Sequence, residues 1–459
     1  MSLWPWSHGT RRAKDEAPVS TRGPVSGSGK AAPAAKQPAA APPTASEPSR
    51  WRRAGRLLLG RGLQVSPRRV DVVLAAAVIG LVGFGVVMVY SASSFEATVR
   101  FHDAQYFLRK QAVYAVLALL LMWGVSRVDY HRLRRLTYPL LVGVVGLLVA
   151  TVAGLGHRAG NAYRWLSLGP INIQPSEIAK VVLVLWLAYS LSKKAERVRE
   201  FWVGVVPHMM VVAMLMALCL KQPDFGSAVV LLLLAFTMMF VAGVRAPYIA
   251  SLIAMFGLAA AAAVRFSGYR YARFMSWLDL EQHKEGLAYQ PFQSVMSFGS
   301  GGLFGLGLGR GLQVLYLPEA HTDFVAAIVG EELGFFGVCL MCAVYGLIVA
   351  RGVKIAFEAA DDYGSYIAFG LSAMVGIQVL TNLAVAMAIL PTKGLTLPFV
   401  SYGGSSLLVS AAAVGVLLNI SRPRPATSPA AAAETPSRGP EPSASAVVAT
   451  SAEEGTPGW

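Results

Sequence analysis

The sequence has few charged residues and almost no cysteine. Only 14% of its 459 residues are charged, whereas 55% are hydrophobic, which excludes an ordinary soluble globular domain. The three cysteines all fall inside long apolar runs, so they give neither a disulfide framework nor a metal site. We therefore predict a protein that is embedded in a membrane.

The apolar residues are concentrated in ten runs, each long enough to cross the roughly 30 Å hydrocarbon core of a bilayer as a helix. The runs lack the alternation of polar and apolar residues found in barrel strands, and lipid offers no hydrogen-bond partner to a bare backbone. The predicted fold class is an all-α polytopic membrane protein. The spans are expected at 71–93, 107–125, 136–154, 176–192, 203–220, 224–243, 247–265, 324–350, 364–389 and 399–420.

Basic residues gather in the short connections after the second, fourth and eighth runs. Because such loops stay on the cytoplasmic side, both termini are predicted to be cytoplasmic. The outward-facing connections are then expected at 155–175, 266–323 and 390–398.

The net charge of +15 lies mainly in front of the first run, since residues 1–69 hold 13 Lys or Arg against three acids. This placement next to the membrane favours contact with anionic lipid headgroups and does not indicate nucleic acid. We predict a disordered, basic cytoplasmic tail at 1–69, in which a segment near Trp51 lies along the membrane or serves as a simple anchor. A membrane domain is expected at 70–420 and a second disordered cytoplasmic tail at 421–459.

The fourth run begins with a charged pair, Glu177 and Lys180, three residues apart on one helix face. Charged groups inside a membrane need a partner or a function. Two interpretations stay open for this pair: a structural ion pair that fixes helix packing, or a polar wall of a substrate cavity.

Arg164 and Asp224 are further candidates near the outer surface. The guanidinium of Arg164 is a rigid fork suited to phosphate oxygens, although Arg164-Trp165 also suits a plain interfacial anchor. Asp224 follows Gln222-Pro223 in a short turn, where it is either a site residue or the cap of the next helix.

The long outer connection contains Gln290 and then a glycine-dense stretch at 299–309. No strand is predicted before these glycines, which argues against a nucleotide-binding loop. They favour a re-entrant or interfacial segment that faces a lipid substrate. The connection ends in Glu319, His321 and Asp323, which places an acid at the mouth of the bundle.

The last outer connection carries Lys393, followed by Ser401 and Gly403 in a segment rich in proline and glycine. Such residues at membrane depth are typical of broken helix ends that line a cavity.

These segments together resemble the SEDS family of shape, elongation, division and sporulation proteins, and within it the division type more than the elongation type. The resemblance covers roughly residues 71–422. It is carried by Arg164-Trp165, Gln174 to Lys180, Gln222-Pro223-Asp224, Tyr289-Gln290, Leu317 to Phe324, Glu331-Glu332-Leu333-Gly334, Pro391 to Pro398 and Pro398 to Ser406.

The resemblance implies a ten-helix peptidoglycan glycosyltransferase that polymerises lipid II on the outer face of the bacterial cytoplasmic membrane during division. It also implies a class B penicillin-binding protein and other divisome membrane proteins as partners. The family's catalytic aspartate falls on Asp323, and its intramembrane charged pair falls on Glu177 and Lys180. Candidate substrate-binding residues are Arg164, Lys393, Gln290, Ser401 and Gly403, with Asp224, His321 and Glu319 as further candidates.

The chemistry expected of Asp323 is that of one general base in an inverting displacement. A bound Mg²⁺ or Mn²⁺ could share the charge of the leaving diphosphate, although no ligand spacing demands a metal or any other cofactor. Lipid II transport is the competing function, because ten spans, an intramembrane ion pair and broken helices also suit a flippase.

Overall fold

The computed structural model describes residues 70–159, 162–168, 171–392 and 394–422. The predictions for the tail at 1–69, and for all but the first two residues of the tail at 421–459, lie outside the described residues. Those two residues close the helical domain, because the backbone N–H of Asp71 donates to Ser421 Oγ at 3.2 Å and Arg422 Nη2 donates to Ser126 Oγ at 3.4 Å.

Twelve α-helices run through the described part of the chain. They are α1 (Val72–Phe101), α2 (Tyr106–Arg127), α3 (His131–Ala150), α4 (Pro175–Lys193), α5 (Val206–Lys221), α6 (Phe225–Ala242), α7 (Ala246–Arg265), α8 (Gly268–Leu278), α9 (Tyr289–Gly301), α10 (Val325–Glu358), α11 (Asp362–Ala386) and α12 (Gly404–Ile420). One π-helical turn, Thr151–Leu155, extends α3, and another, Phe201–Val205, leads into α5.

Nine of these helices, within the described ranges, are long and apolar enough to span a membrane. The tenth predicted span corresponds to α12, which is apolar but has 17 residues. The all-α membrane fold is therefore confirmed. The most visible difference in helix limits is at α1, which runs to Phe101, whereas the apolar run ends at residue 93.

The connections expected to face outward contain structure of their own. Residues after α3 form a small antiparallel sheet in the order β1 (His157–Ala159), β2 (Ala162–Leu168) and β3 (Ile171–Ile173). The pattern of apolar runs did not predict this sheet. The long connection at 266–323 holds α8, α9 and a short 3₁₀ turn, Gln313–Leu315.

Helix α4 lies at the centre of the packing, since 78% of its most apolar 18-residue stretch is buried. It contacts α3, α6 and α11, while α10 packs on α11 and α12 packs on α2. Helix α7 is the opposite case, because only 6% of its most apolar 18-residue stretch is buried. The polar residues of α4 are therefore held inside the protein, whereas α7 presents nearly all its apolar surface to the surroundings.

Helix α10 is broken at Gly334, whose backbone adopts φ 66° and ψ −165°. The glycine-dense stretch packs against this break: the N–H of Leu306 donates to Glu331 O at 3.0 Å, and the N–H of Phe335 donates to Gly302 O at 2.9 Å. A Cβ on Gly305 would lie 2.1 Å from Glu332 O, so only glycine permits this approach. The glycines thus satisfy the open backbone of a broken helix.

Candidate functional site

Asp323 lies in the turn that leads into α10. Its backbone N–H donates to Glu319 O at 3.2 Å, and Glu319 itself adopts a positive φ of 58°. The side chain of Asn382, on α11, donates through Nδ2 to Asp323 O at 3.0 Å and to Leu395 O at 2.5 Å. One buried amide therefore holds the Asp323 turn beside the last outer connection.

The carboxyl group of Asp323 is half-buried at the end of the bundle and lies against Gly394. A Cβ on Gly394 would lie 2.8 Å from Asp323 Oδ2. Burial raises the pKa of Asp323 to about 7, the negative charge of Glu319 adds to this increase, and Arg164 opposes it. A carboxyl group with this pKa can accept a proton near neutral pH.

His321 is buried behind this turn and touches the outer end of α1. Its Nδ1 lies 3.4 Å from Glu96 Oε2 without forming a hydrogen bond. The ring packs 4.6 Å from Phe107 and 5.5 Å from Tyr402, measured between ring centroids. Burial lowers the pKa of His321, and the negative charges of Glu96 and Glu319 oppose this effect.

Ser401 and Gly403 belong to a tightly bonded turn before α12. Ser401 Oγ accepts a hydrogen bond from the N–H of Leu397 at 2.9 Å, and the N–H of Tyr402 donates to His321 O at 2.9 Å. Gly403 accepts through its carbonyl oxygen from Leu407 N. Both predicted residues therefore lie next to the Asp323 turn, whereas Gln290 is half-buried near the start of α9.

Arg164, on β2, uses its guanidinium fork on the backbone. Nε donates to Gln222 O at 3.1 Å, and Nη2 donates to Pro223 O at 2.5 Å. The fork was expected to contact phosphate, but in this structure these two donors fix the turn before α6. Arg164 also acts on Asp323, because its charge lowers the pKa of that carboxyl group.

Asp224 caps helix α6, since its Oδ1 accepts from the N–H of Ser227 at 3.1 Å. Its other oxygen accepts from Ser176 Oγ at 2.8 Å and from Gln174 Nε2 at 3.4 Å. Asp224 therefore ties the start of α6 to the start of α4, as the capping interpretation predicted, and it lies close enough to raise the pKa of Asp323 further.

Glu177 and Lys180 form an ion pair inside α4, with 2.7 Å between Lys180 Nζ and Glu177 Oε1. Lys180 is fully buried and Glu177 is 5% exposed. Gln378, on α11, reaches Glu177 Oε2 at 3.5 Å. The pair thus joins α4 to α11 in the centre of the bundle.

Glu331 fixes the connection that leads to Asp323, a role that was not predicted from the sequence. It is fully buried on α10, and its Oε1 accepts from the N–H of Leu312 at 2.7 Å and of Gln313 at 3.0 Å. Asn382 was missed in the same way. A buried polar residue in an apolar run is the signal that could have found both.

Two further points of the prediction concern Lys393 and metals. Lys393 lies outside the described residues. In the ranges that the structure does describe, no group of three or more His, Cys, Asp or Glu side chains is placed to hold a metal ion.

The chain belongs to the family described as "Cell cycle protein", whose model covers FtsW, RodA and SpoVE and matches residues 72–425. The resemblance to the SEDS family is thereby confirmed.

Curated relatives carry two kinds of name. A probable peptidoglycan glycosyltransferase FtsW from Geobacter metallireducens is 44% identical over 355 residues, which cover 77% of this chain and 95% of the relative. Stage V sporulation protein E from Bacillus subtilis is 38% identical over 355 residues, covering 77% and 97%.

Solved structures share the fold. One solved structure is described as "Structural coordination of polymerization and crosslinking by a peptidoglycan synthase complex". A chain of that structure matches with a TM-score of 0.64 and 32% identity, covering 77% of this chain and 97% of that one. Rod shape determining protein RodA from Thermus thermophilus gives 0.57 at 31% identity, covering 76% and 95%.

Proposed function

We propose that this protein is a peptidoglycan glycosyltransferase that polymerises lipid II on the outer face of the bacterial cytoplasmic membrane, with Asp323 as general base. The observation that carries the proposal is the position of Asp323: a partly accessible carboxyl group at the end of the bundle whose pKa is raised to about 7. The relatives' name, peptidoglycan glycosyltransferase, supports the class of reaction.

The reaction joins two lipid-linked sugars and inverts the donor carbon. Asp323 accepts the proton of the acceptor 4-hydroxyl, whose oxygen forms a bond to the anomeric carbon of the donor. The bond from that carbon to the lipid diphosphate breaks at the same time, and the diphosphate leaves with the electron pair. One base is enough, because inversion needs a single displacement.

The leaving diphosphate needs positive charge. Arg164 is the first candidate and Lys393 the second. Arg164 would act through the part of its guanidinium that does not hold the carbonyls of Gln222 and Pro223. Lys180 would contribute only if substrate loosened its pairing with Glu177. Mg²⁺ or Mn²⁺ bound with the substrate would neutralise the same charge. Gln290, Ser401 and Gly403 are proposed to line the sugar or lipid path.

The setting we propose is the division septum, with both termini in the cytoplasm and a class B penicillin-binding protein as transpeptidase partner. The solved relative described as a peptidoglycan synthase complex supports such a pairing. Basic loops after the second, fourth and eighth runs support the orientation. Other divisome membrane proteins are expected to bind alongside.

Lipid II transport is separated from polymerisation by one experiment. Purified protein is reconstituted in vesicles with lipid II and the cognate class B penicillin-binding protein, and both glycan strands and translocated lipid II are measured. Glycan strands from the wild type support the proposal. Translocation of lipid II without formation of glycan strands would show that the protein is a transporter and not a polymerase. Glu177 and Lys180 would then be the central polar groups.

A further inference from the structure

Helix α8 carries two arginines on one side of an otherwise aromatic, surface-lying segment. Arg270 and Arg273 are three residues apart, which places them on the same helix face. Tyr269, Phe274 and Leu278 are exposed, as expected for a helix that lies in a membrane interface. The two arginines, however, point at other parts of the protein.

Each arginine contacts a different outer segment. The guanidinium of Arg270 lies over the ring of Phe225, with 4.7 Å between Cζ and the ring centroid. Arg273 Nη2 donates to Thr392 Oγ1 at 3.0 Å. The position of the helix is fixed by Trp277, whose Nε1 donates to Ala388 O at 2.8 Å.

Both contacted segments border Asp323. Phe225 is the first residue of α6, and its neighbour Gly226 is so close to Leu395 that a Cβ on Gly226 would lie 2.8 Å from Leu395 Cδ2. Gly394, next in the chain to Leu395, lies so close to Asp323 that a Cβ on it would be 2.8 Å from the carboxyl Oδ2. Arg270 and Arg273 therefore flank the seam where the start of α6 meets the connection beside Asp323.

Among the described residues, no acid pairs with either of these arginines. Within the part of the chain that the structure describes, neither Arg270 nor Arg273 forms an ion pair with a carboxylate, whereas Arg100 pairs with Glu96 at 2.8 Å. Arg270 is exposed and Arg273 is half-buried. Two guanidinium groups that lack acidic partners in these ranges and lie at the seam beside Asp323 are suited to a phosphate-bearing ligand.

We propose that Arg270 and Arg273 bind the diphosphate of the lipid-linked donor, an inference that rests on the proposed function. In an in-line displacement the base and the leaving group lie on opposite sides of the reacting carbon. A cationic site for the diphosphate therefore belongs near Asp323 but not in contact with it. Helix α8 supplies such a site at the membrane surface, where the diphosphate of a polyprenyl lipid lies.

The same chemistry would also attract the phosphate of ordinary anionic headgroups, so the test must separate the two sources. Binding of a labelled polyprenyl diphosphate is measured on the full chain in nanodiscs of neutral phosphatidylcholine and in discs that contain phosphatidylglycerol. The variants are Arg270→Ala/Arg273→Ala, Arg273→Lys and, as a matched control, Arg265→Ala. Arg265 ends α7 and lies over Tyr271, with 5.8 Å from its Cζ to the ring centroid.

The double variant is expected to weaken polyprenyl diphosphate binding about tenfold or more in neutral discs, as expected when charge-assisted hydrogen bonds are lost. The KM for lipid II should rise in parallel, and Arg265→Ala should bind like the wild type. Arg273→Lys should restore binding only in part, because a point charge does not reproduce the fork. A partial rescue also shows that the loss is not one of folding.

Three results would overturn the proposal. They are unchanged binding by the double variant, an equal loss in Arg265→Ala, or a loss that occurs only in discs with phosphatidylglycerol, which would mark the arginines as headgroup anchors. The binding arm is repeated with Asp323→Asn, which should bind the diphosphate normally. If the wild type makes no polymer but binds in an arginine-dependent manner, the glycosyltransferase function fails and the diphosphate site stands.

Discussion

The raised pKa of Asp323 predicts a specific pH dependence for polymerisation. An acid with a pKa of about 7 is roughly one-tenth ionised at pH 6 and roughly nine-tenths ionised at pH 8, so the rate should rise about tenfold across this interval. A carboxyl group with the ordinary pKa of 3.8 would be ionised throughout, and the rate would stay flat. The quantity to measure is kcat/KM for lipid II, which reports on the free enzyme.

The cause of the shift can be tested separately with Glu319→Gln. Removing the neighbouring negative charge should lower the pKa of Asp323 and move the rising limb of kcat/KM to lower pH, because Glu319 raises that pKa. Glu285→Gln, an exposed acid in the same outer connection, is the control and should leave the limb in place. His321 does not account for a limb near 7, because burial lowers its pKa.

The reasoning would be refuted by a wild-type profile that is flat from pH 6 to pH 8. The role of Glu319 would be refuted if the folded, active Glu319→Gln variant showed its rising limb of kcat/KM at the same pH as the wild type.

Two further predictions concern buried charges. Lys180→Met leaves the buried carboxyl group of Glu177 without its ion-pair partner, which should destabilise the protein by about 3–5 kcal/mol, while the double variant Glu177→Gln/Lys180→Met should recover much of the loss. Thermal unfolding in detergent measures both, and a double variant no more stable than the single one would contradict the pairing. Glu331→Ala removes the hydrogen bonds to the N–H groups of Leu312 and Gln313, at a cost of about 1–3 kcal/mol for the two together, and should slow polymerisation by loosening the connection to Asp323. Glu331→Gln keeps an oxygen acceptor and should behave nearly as wild type, so equal effects of the two changes would contradict this role.

Much of the fold was predictable because membrane spans are encoded locally. The apolar runs located the long helices. The length of a run reflects the thickness of the membrane core and does not mark where the helix ends. Helix α1 continues to Phe101 through polar residues such as Ser94 and Glu96, since a helix can extend into the aqueous region once its backbone bonds are formed. The sheet between α3 and α4 was missed because two of its three strands have only three residues, which carry almost no periodic signal, and because the seven residues of β2 lack a clear alternation of polar and apolar side chains.

The candidate site was predicted as a set of residue types and not as an arrangement. Asp323 and the Ser401–Gly403 turn come together in the structure, where the N–H of Tyr402 donates to His321 O. The fork of Arg164 contacts carbonyls 58 and 59 residues away, a pairing that no local pattern shows. Arg270 and Arg273 escaped notice because basic residues beside aromatic ones have the composition of a simple interfacial anchor; only their contacts with Phe225 and Thr392 distinguish them.

The central claim is that Asp323 is the base of a glycan-forming reaction, and it is tested most directly by glycan-strand formation from purified lipid II. Wild type and Asp323→Asn are compared, each with and without the cognate class B penicillin-binding protein, after both are shown to be folded. Asparagine keeps the size of the side chain but accepts no proton, so the account predicts a loss of about 10²-fold or more. Strand formation by folded Asp323→Asn at the wild-type rate would contradict the account.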